Sequence, residues 1–109
     1  MSAPRIDHIG LIVADLEKAI AMMARLIKSE PDYVKDMPEV GLRVAAFKAA
    51  NVTIELLQYT SGEGGFAQKV MGNAIGLNHI SAEVDDLDMA LKELTEAGFA
   101  VKDGFPRPG

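Results

Sequence analysis

The chain contains no cysteine, so disulfide bridges, thiolate metal ligands and a thiol nucleophile are all excluded. Any metal must then rest on nitrogen and oxygen. Basic residues are also in deficit. Eleven Lys and Arg face 16 Asp and Glu, a formal net charge of −5, which argues against a sequence-independent nucleic-acid binder, because that needs a basic face. A small anionic ligand held by a few local cations is still permitted. No apolar run approaches the roughly 18 residues of a membrane span, and the start MSAPRIDHIG lacks the basic stretch and apolar core of a signal peptide. A cytoplasmic location is therefore expected, with neither membrane nor nucleic acid as a partner. Histidine is scarce as well, with two in 109 residues.

What is present suffices for a core: 49% of the residues are hydrophobic, enough for one small folded domain. Arg5 to Val13 (RIDHIGLIV) is rich in Ile, Leu and Val without helical period and reads as a strand. Asp15 is a good N-cap. After it Leu16, Ala19, Ile20, Met23, Leu26 and Ile27 recur at spacings of three and four, which predicts a helix to about Lys28. Tyr33 and Val34 suggest a short edge strand before the turn Met37-Pro38-Glu39-Val40-Gly41. Leu42 to Lys48 and Val52 to Tyr59 follow as strands around Ala49-Ala50-Asn51, a connection compatible with a hairpin. A flexible Ser-Gly-Glu-Gly-Gly stretch precedes one or two helical turns over Phe66 to Met71. Gly76 to Val84 is again a strand, Asp86 again an N-cap, and Leu87, Ala90, Leu91 and Leu94 again a helical stripe that stops at Gly98; Phe99 to Lys102 would add one more strand.

The word "again" has a quantitative basis. Sliding the chain by 71 positions lays HIGLIVADLEKAIA on HISAEVDDLDMALK with no gap, and His, Ile, Val, Asp, Leu and Ala coincide. That period is too long for a solenoid and indicates two fused copies of a strand-helix-strand-strand-strand unit. The expected fold is α+β, with paired βαβββ modules forming a cupped mixed sheet in a single domain over residues 1–109. Module one covers 5–60, a linker 61–75 and module two 76–109. The counterparts of the strands ending at Lys48 and Tyr59 would fall beyond Gly109, so the second module is expected to be truncated at its C-terminal end.

The two histidines, His8 and His79, occupy equivalent positions in the two copies. Strand alternation puts Ile6, His8, Gly10 and Ile12 on one face of the first copy and Leu77, His79, Ser81 and Glu83 on one face of the second. A lone histidine on an apolar strand is usually a satisfied core residue; the coincidence in the repeat favours ligands. Glu55 is a carboxylate inside an apolar strand, sharing a face with Thr53 and Leu57. If pseudo-twofold symmetry joins the modules, His8, Glu55 and His79 can converge on one divalent metal ion, and such a donor set suits Zn, Ni, Co, Fe(II) or Mn with an open position for substrate oxygens. Asp15 and Asp86 read as caps rather than acids for chemistry, and Met22-Met23 as core filling. Gly62, Gly64 and Gly65 resemble a phosphate loop only superficially, because no GxxxxGK[ST] pattern supports them.

The segments IDHIGLIVADLEKAI, PEVGLRVAAF, VTIELLQYTSGEG, GLNHISAEVDDLDMAL and FPRPG together resemble the vicinal oxygen chelate (glyoxalase / bleomycin resistance / dioxygenase) superfamily, and within it the methylmalonyl-CoA epimerases more than glyoxalase I. The resemblance implies paired βαβββ modules and places His8, Glu55 and His79 on three of four metal-ligand positions, the fourth being a Glu beyond Gly109. It implies an acyl-CoA substrate whose oxygens a metal chelates, and proton exchange at the carbon alpha to a thioester carbonyl. It also shows departures. Bacterial epimerases often carry a Glu base where this chain has Val44, and the usual Phe-Tyr pair, expected in the segment after the first helix, is lacking, with Met22-Met23 in its place. The catalytic base is therefore not assigned. Arg43, Lys48 and Arg107 could meet a CoA phosphate, though each reads first as an ordinary surface charge. The expected activity is a metal-dependent, methylmalonyl-CoA epimerase-like isomerase, expected to form a homodimer. Its alternatives are a glyoxalase I-like lactoylglutathione lyase and a metal-free drug-binding module.

Overall fold

The computed structural model describes residues 4–60 and 65–101. Strand β1 (Arg5–Ile12) runs into Asp15, whose extended backbone and side chain cap helix α1 (Leu16–Ile27) by accepting from the Lys18 amide. The cap satisfies one of the amides that the first helical turn leaves without a partner, a contribution of about 1 kcal/mol. At the far end Lys28 adopts a left-handed conformation, φ 63°, and its amide returns to the Ala24 carbonyl, a glycine-like stop made by a lysine.

Strands β2 (Tyr33–Met37), β3 (Leu42–Lys48) and β4 (Thr53–Tyr59) follow, then the short helix α2 (Phe66–Met71), strand β5 (Gly76–Glu83) and helix α3 (Leu87–Glu96). Strand β2 lies at an edge as expected but continues through Met37, pairing antiparallel with β3 from Tyr33↔Ala46 to Met37↔Leu42. The β3–β4 connection closes with the Ala49 amide donating to the Val52 carbonyl, so Val52 belongs to the turn and not to the strand. Phe99–Val101, read from sequence as the start of a strand, are not in one. An extended apolar segment becomes a strand only where a partner takes its backbone hydrogen bonds. Lys102, Arg107, the FPRPG segment, Gly62 and Gly64 lie outside the described residues.

The five strands form one mixed sheet in the order β2-β3-β4-β1-β5, with β1 parallel to β4 and β3 antiparallel to β4. The α+β class and the strand-helix-strand-strand-strand order of the first copy are as expected, and the second copy shows its strand and helix. Alternation gives the sheet two apolar faces. On one, α1 lays Leu16, Ala19, Ile20, Met23 and Ala24 against Ala45, Phe47, Ile54 and Leu56. On the other, Ile12, Leu42, Val44 and Leu57 pack with Ala67 of α2. Phe47, Ile12, Leu16 and Leu56 are the largest side chains fully withdrawn from solvent, each contributing about 1.5–3 kcal/mol by burial.

Residues 6–82 make up one compact unit, and the two chain ends, up to Arg5 and from Glu83, make up a second. Within the second, Arg5 and Glu83 pair at 2.8 Å on the surface. Helix α3 begins on an Asp86 cap with the backbone angles of Asp15, and its side chain accepts from the Met89 amide at 3.0 Å. No helix is long and apolar enough to cross a membrane among the described residues.

Candidate metal centre

Register places one row of residues straight across the sheet. Tyr33 pairs with Ala46, Ala46 with Glu55, and Glu55 with Gly10, on β2, β3, β4 and β1 in turn. Large and small side chains alternate along this row, and the small ones are what let the large ones meet. Over Ala46 the Tyr33 hydroxyl reaches Glu55, donating to its Oε2 at 3.5 Å. Over Gly10 lies the imidazole of His79. A Cβ at Gly10 would come within 3.0 Å of three atoms of that ring, so the glycine admits a side chain from β5 that any other residue would push away.

His8 enters from β1, two residues before Gly10 on the same face. Its Nε2 lies 3.2 Å from Nε2 of His79 and 3.6 Å from Oε1 of Glu55, and the rings meet edge to face at 5.3 Å between centroids. Ligand atoms of His8, Glu55 and His79 all fall within 4.8 Å of one another. Two donors about 2.1 Å from one ion, at angles of 90–109°, stand about 3.0–3.4 Å apart, so the imidazole pair fits the spacing of donors that share an ion. Among the described residues no other group of His, Cys, Asp or Glu offers such a cluster.

The outward ring nitrogens are held as well. Nδ1 of His8 lies 2.9 Å from Oδ2 of Asp7, and Nδ1 of His79 lies 2.9 Å from Oδ1 of Asn78. The Asn78 amide is itself oriented, because its Nδ2 donates to the Met71 carbonyl at 2.8 Å. Carboxylate and amide oxygens are acceptors, so these contacts favour a proton on Nδ1 of each ring, the tautomer that leaves the Nε2 lone pair inward for a metal. Burial and the neighbouring His8 push the His79 imidazole below its ordinary range, with Glu55 opposing in part. Burial and the charge of Glu55 push the Tyr33 hydroxyl up, so it stays a donor.

Beside these groups lies a cavity of ≈ 280 Å³. Glu55 and His79 border it, Tyr33 and Lys35 line it from β2, and Met37, Leu42, Val44, Leu57 and Met71 make it largely apolar. Val44 thus stands on the cavity wall and offers no group for proton transfer. Arg43 points the other way, pairing with Glu17 of α1 at 3.3 Å. The structure brings together all three residues singled out from sequence. What sequence reasoning missed are their supports: Gly10, Ala46, Tyr33, Asp7 and Asn78. Two of these had a legible signal, since Asp7 and Asn78 are separated by the same 71 positions as the histidines they hold.

The family model for the glyoxalase/bleomycin resistance protein/dioxygenase superfamily matches residues 7–109. The chain belongs to this superfamily. It is 36% identical over 110 residues to an ethylmalonyl-CoA/methylmalonyl-CoA epimerase from Cereibacter sphaeroides, covering 96% of this chain and 80% of that protein. To the mitochondrial methylmalonyl-CoA epimerase of Homo sapiens it is 32% identical, over 83% of this chain but 52% of that protein. A variant of Streptomyces coelicolor methylmalonyl-CoA epimerase in complex with 2-nitronate-propionyl-CoA superposes with a TM-score of 0.71 at 24% identity, over 99% of this chain and 79% of that one. This last likeness concerns the superfamily fold.

Proposed function

We propose that the chain is an epimerase-like isomerase that exchanges the proton on the carbon alpha to a thioester carbonyl, with an acyl-CoA of the methylmalonyl type as substrate and a divalent ion held by His8, Glu55 and His79. The observation that carries this reading is the convergence of those three donors at the border of an apolar cavity, in a chain whose named relatives are epimerases of such esters. His8, Glu55 and His79 would hold a divalent ion, which would supply Lewis acidity toward the negative charge that develops on a thioester carbonyl oxygen during exchange of the alpha proton. The nitrogen and oxygen donor set suits Zn, Ni, Co, Fe(II) or Mn.

The chain's own residues position the donors. Asp7 and Asn78 fix the two imidazoles in the ligating tautomer, and Tyr33 steadies Glu55. The apolar wall of Val44, Leu57 and Met71 lowers the local dielectric and strengthens interactions with developing charge. The test is deuterium wash-in. Methylmalonyl-CoA incubated with the protein and a divalent metal in deuterium oxide should gain label at the alpha carbon, and a chelator should stop it. Absence of label, or label that ignores the chelator, overturns the reading. Turnover of a glutathione hemithioacetal in its place would identify a glyoxalase-type lyase.

A further inference from the structure

The two imidazoles are held by different chemistry at equivalent places. Asp7 and Asn78 stand 71 positions apart, like the histidines they hold, yet one is a carboxylate and the other an amide. Both oxygens of a carboxylate accept, so whichever of them faces Nδ1 of His8 favours a proton there. An amide has an accepting end and a donating end. Turned over, Asn78 would present Nδ2 to His79, Nδ1 would have to accept, and the ring proton would sit on Nε2, where it blocks a metal.

The Met71 carbonyl, at the end of helix α2, decides between the two orientations. A carbonyl at a helix end lacks a helical partner and only accepts, so Nδ2 of Asn78 turns to it at 2.8 Å and Oδ1 is left for Nδ1 of His79 at 2.9 Å. Two anchors keep that carbonyl in place. Ala67, the buried residue of α2, packs in the core with Leu57, and the Gly72 carbonyl accepts from the Tyr59 hydroxyl.

We infer that Asn78 is a positioning residue that makes the His79 tautomer conditional on the seating of α2, whereas Asp7 holds His8 in the ligating form whatever α2 does. The inference rests on the reading of His79 as a metal ligand and not on the reaction. Met71 also lines the cavity, so an occupant packed on that wall and an ion at Nε2 of His79 act on one amide, and each should favour the other reciprocally. The duplicated strands thus supply one fixed ligand and one conditional ligand.

The test is a double-mutant cycle between Asn78 and the anchors of α2. Ala67→Gln puts a side chain too long and too polar where α2 meets the core and should unseat it; Tyr59→Phe removes the hydroxyl at the Gly72 end and keeps the ring. In the metal-free chain at about pH 8, above the ordinary imidazole range, long-range proton–nitrogen correlation spectra should show the proton on Nδ1 of both histidines. Ala67→Gln should move the proton of His79, and not that of His8, toward Nε2, and should weaken Zn binding by about 10- to 100-fold, the scale for losing support around a metal. Tyr59→Phe should shift both readouts the same way by less, and it carries the cycle if Ala67→Gln does not fold. In an Asn78→Asp background neither substitution should alter the His79 tautomer or the Zn affinity further. A His79 tautomer that ignores the α2 substitutions, or a response that persists in Asn78→Asp, overturns the inference. A tautomer that follows α2 in a chain that binds no divalent ion sinks the metal reading and leaves the role of Asn78 standing.

Discussion

The two strands that deliver the histidines begin alike and end in different surroundings. β1 lies inside the sheet between β4 and β5, while β5 is an edge strand. Each is followed by an Asp-capped helix with an apolar stripe, and both caps have φ −135° and ψ 102°. Yet Leu16 of α1 is 0% exposed and packs on Ala45, Phe47 and Leu56, whereas its counterpart Leu87 is 52% exposed and no residue of α3 is buried. Capping is written in a few consecutive residues and is reproduced wherever they recur. Burial depends on what the rest of the chain places beneath the stripe.

The largest expected effect breaks that equivalence. Leu16→Ala should destabilise the chain by about 2–5 kcal/mol, while Leu87→Ala should stay within about 0.5 kcal/mol, as read from urea midpoints at constant slope. Equal losses would show that α3 buries its stripe as α1 does. Next comes Gly10→Ala, which should displace the His79 ring and weaken divalent-metal affinity by about 10- to 100-fold, comparable to loss of a supporting residue around a metal, with little change in the urea midpoint. An unaltered affinity would mean that His79 has room the structure does not give it.

A pH series sharpens the contrast between the imidazoles. Because the folded protein holds the His79 pKa below the unfolded value of about 6.5, the unfolded chain binds the proton more readily. The neutral form's contribution to stability is then fully present above that value and is lost as pH falls through the folded pKa. Urea midpoints of the metal-free chain should decline over that window, and His79→Gln should flatten the decline. The smallest effect concerns the caps. Asp15→Ala and Asp86→Ala should each cost about 1 kcal/mol of local helix stability, measured by amide exchange in α1 and α3, because this part of the pattern is independent of burial.

Much of the site was legible because strand alternation and the 71-residue offset act directly on sequence: they put His8 and His79 on corresponding faces and left Glu55 as an anomaly in an apolar strand. The supports were not legible in the same way. Gly10 and Ala46 matter for the space they leave, and that becomes visible only once register sets Gly10 beside Glu55 and Ala46 beside Tyr33. Tyr33 was read as part of a short edge strand, and nothing local says that its hydroxyl crosses β3 to reach a carboxylate. The expectation of a strand from Phe99 failed for a related reason, since composition describes a segment but not its partner.

The central claim is that the duplicated strands build one site between them and not one site each. Divalent metal titrated into the wild-type chain, His8→Ala and His79→Ala, with stoichiometry determined by elemental analysis after dialysis, tests it most directly. The account predicts one ion per wild-type chain and loss of that ion on removing either histidine. Two ions per chain, none at all, or full retention in one of the variants would contradict it.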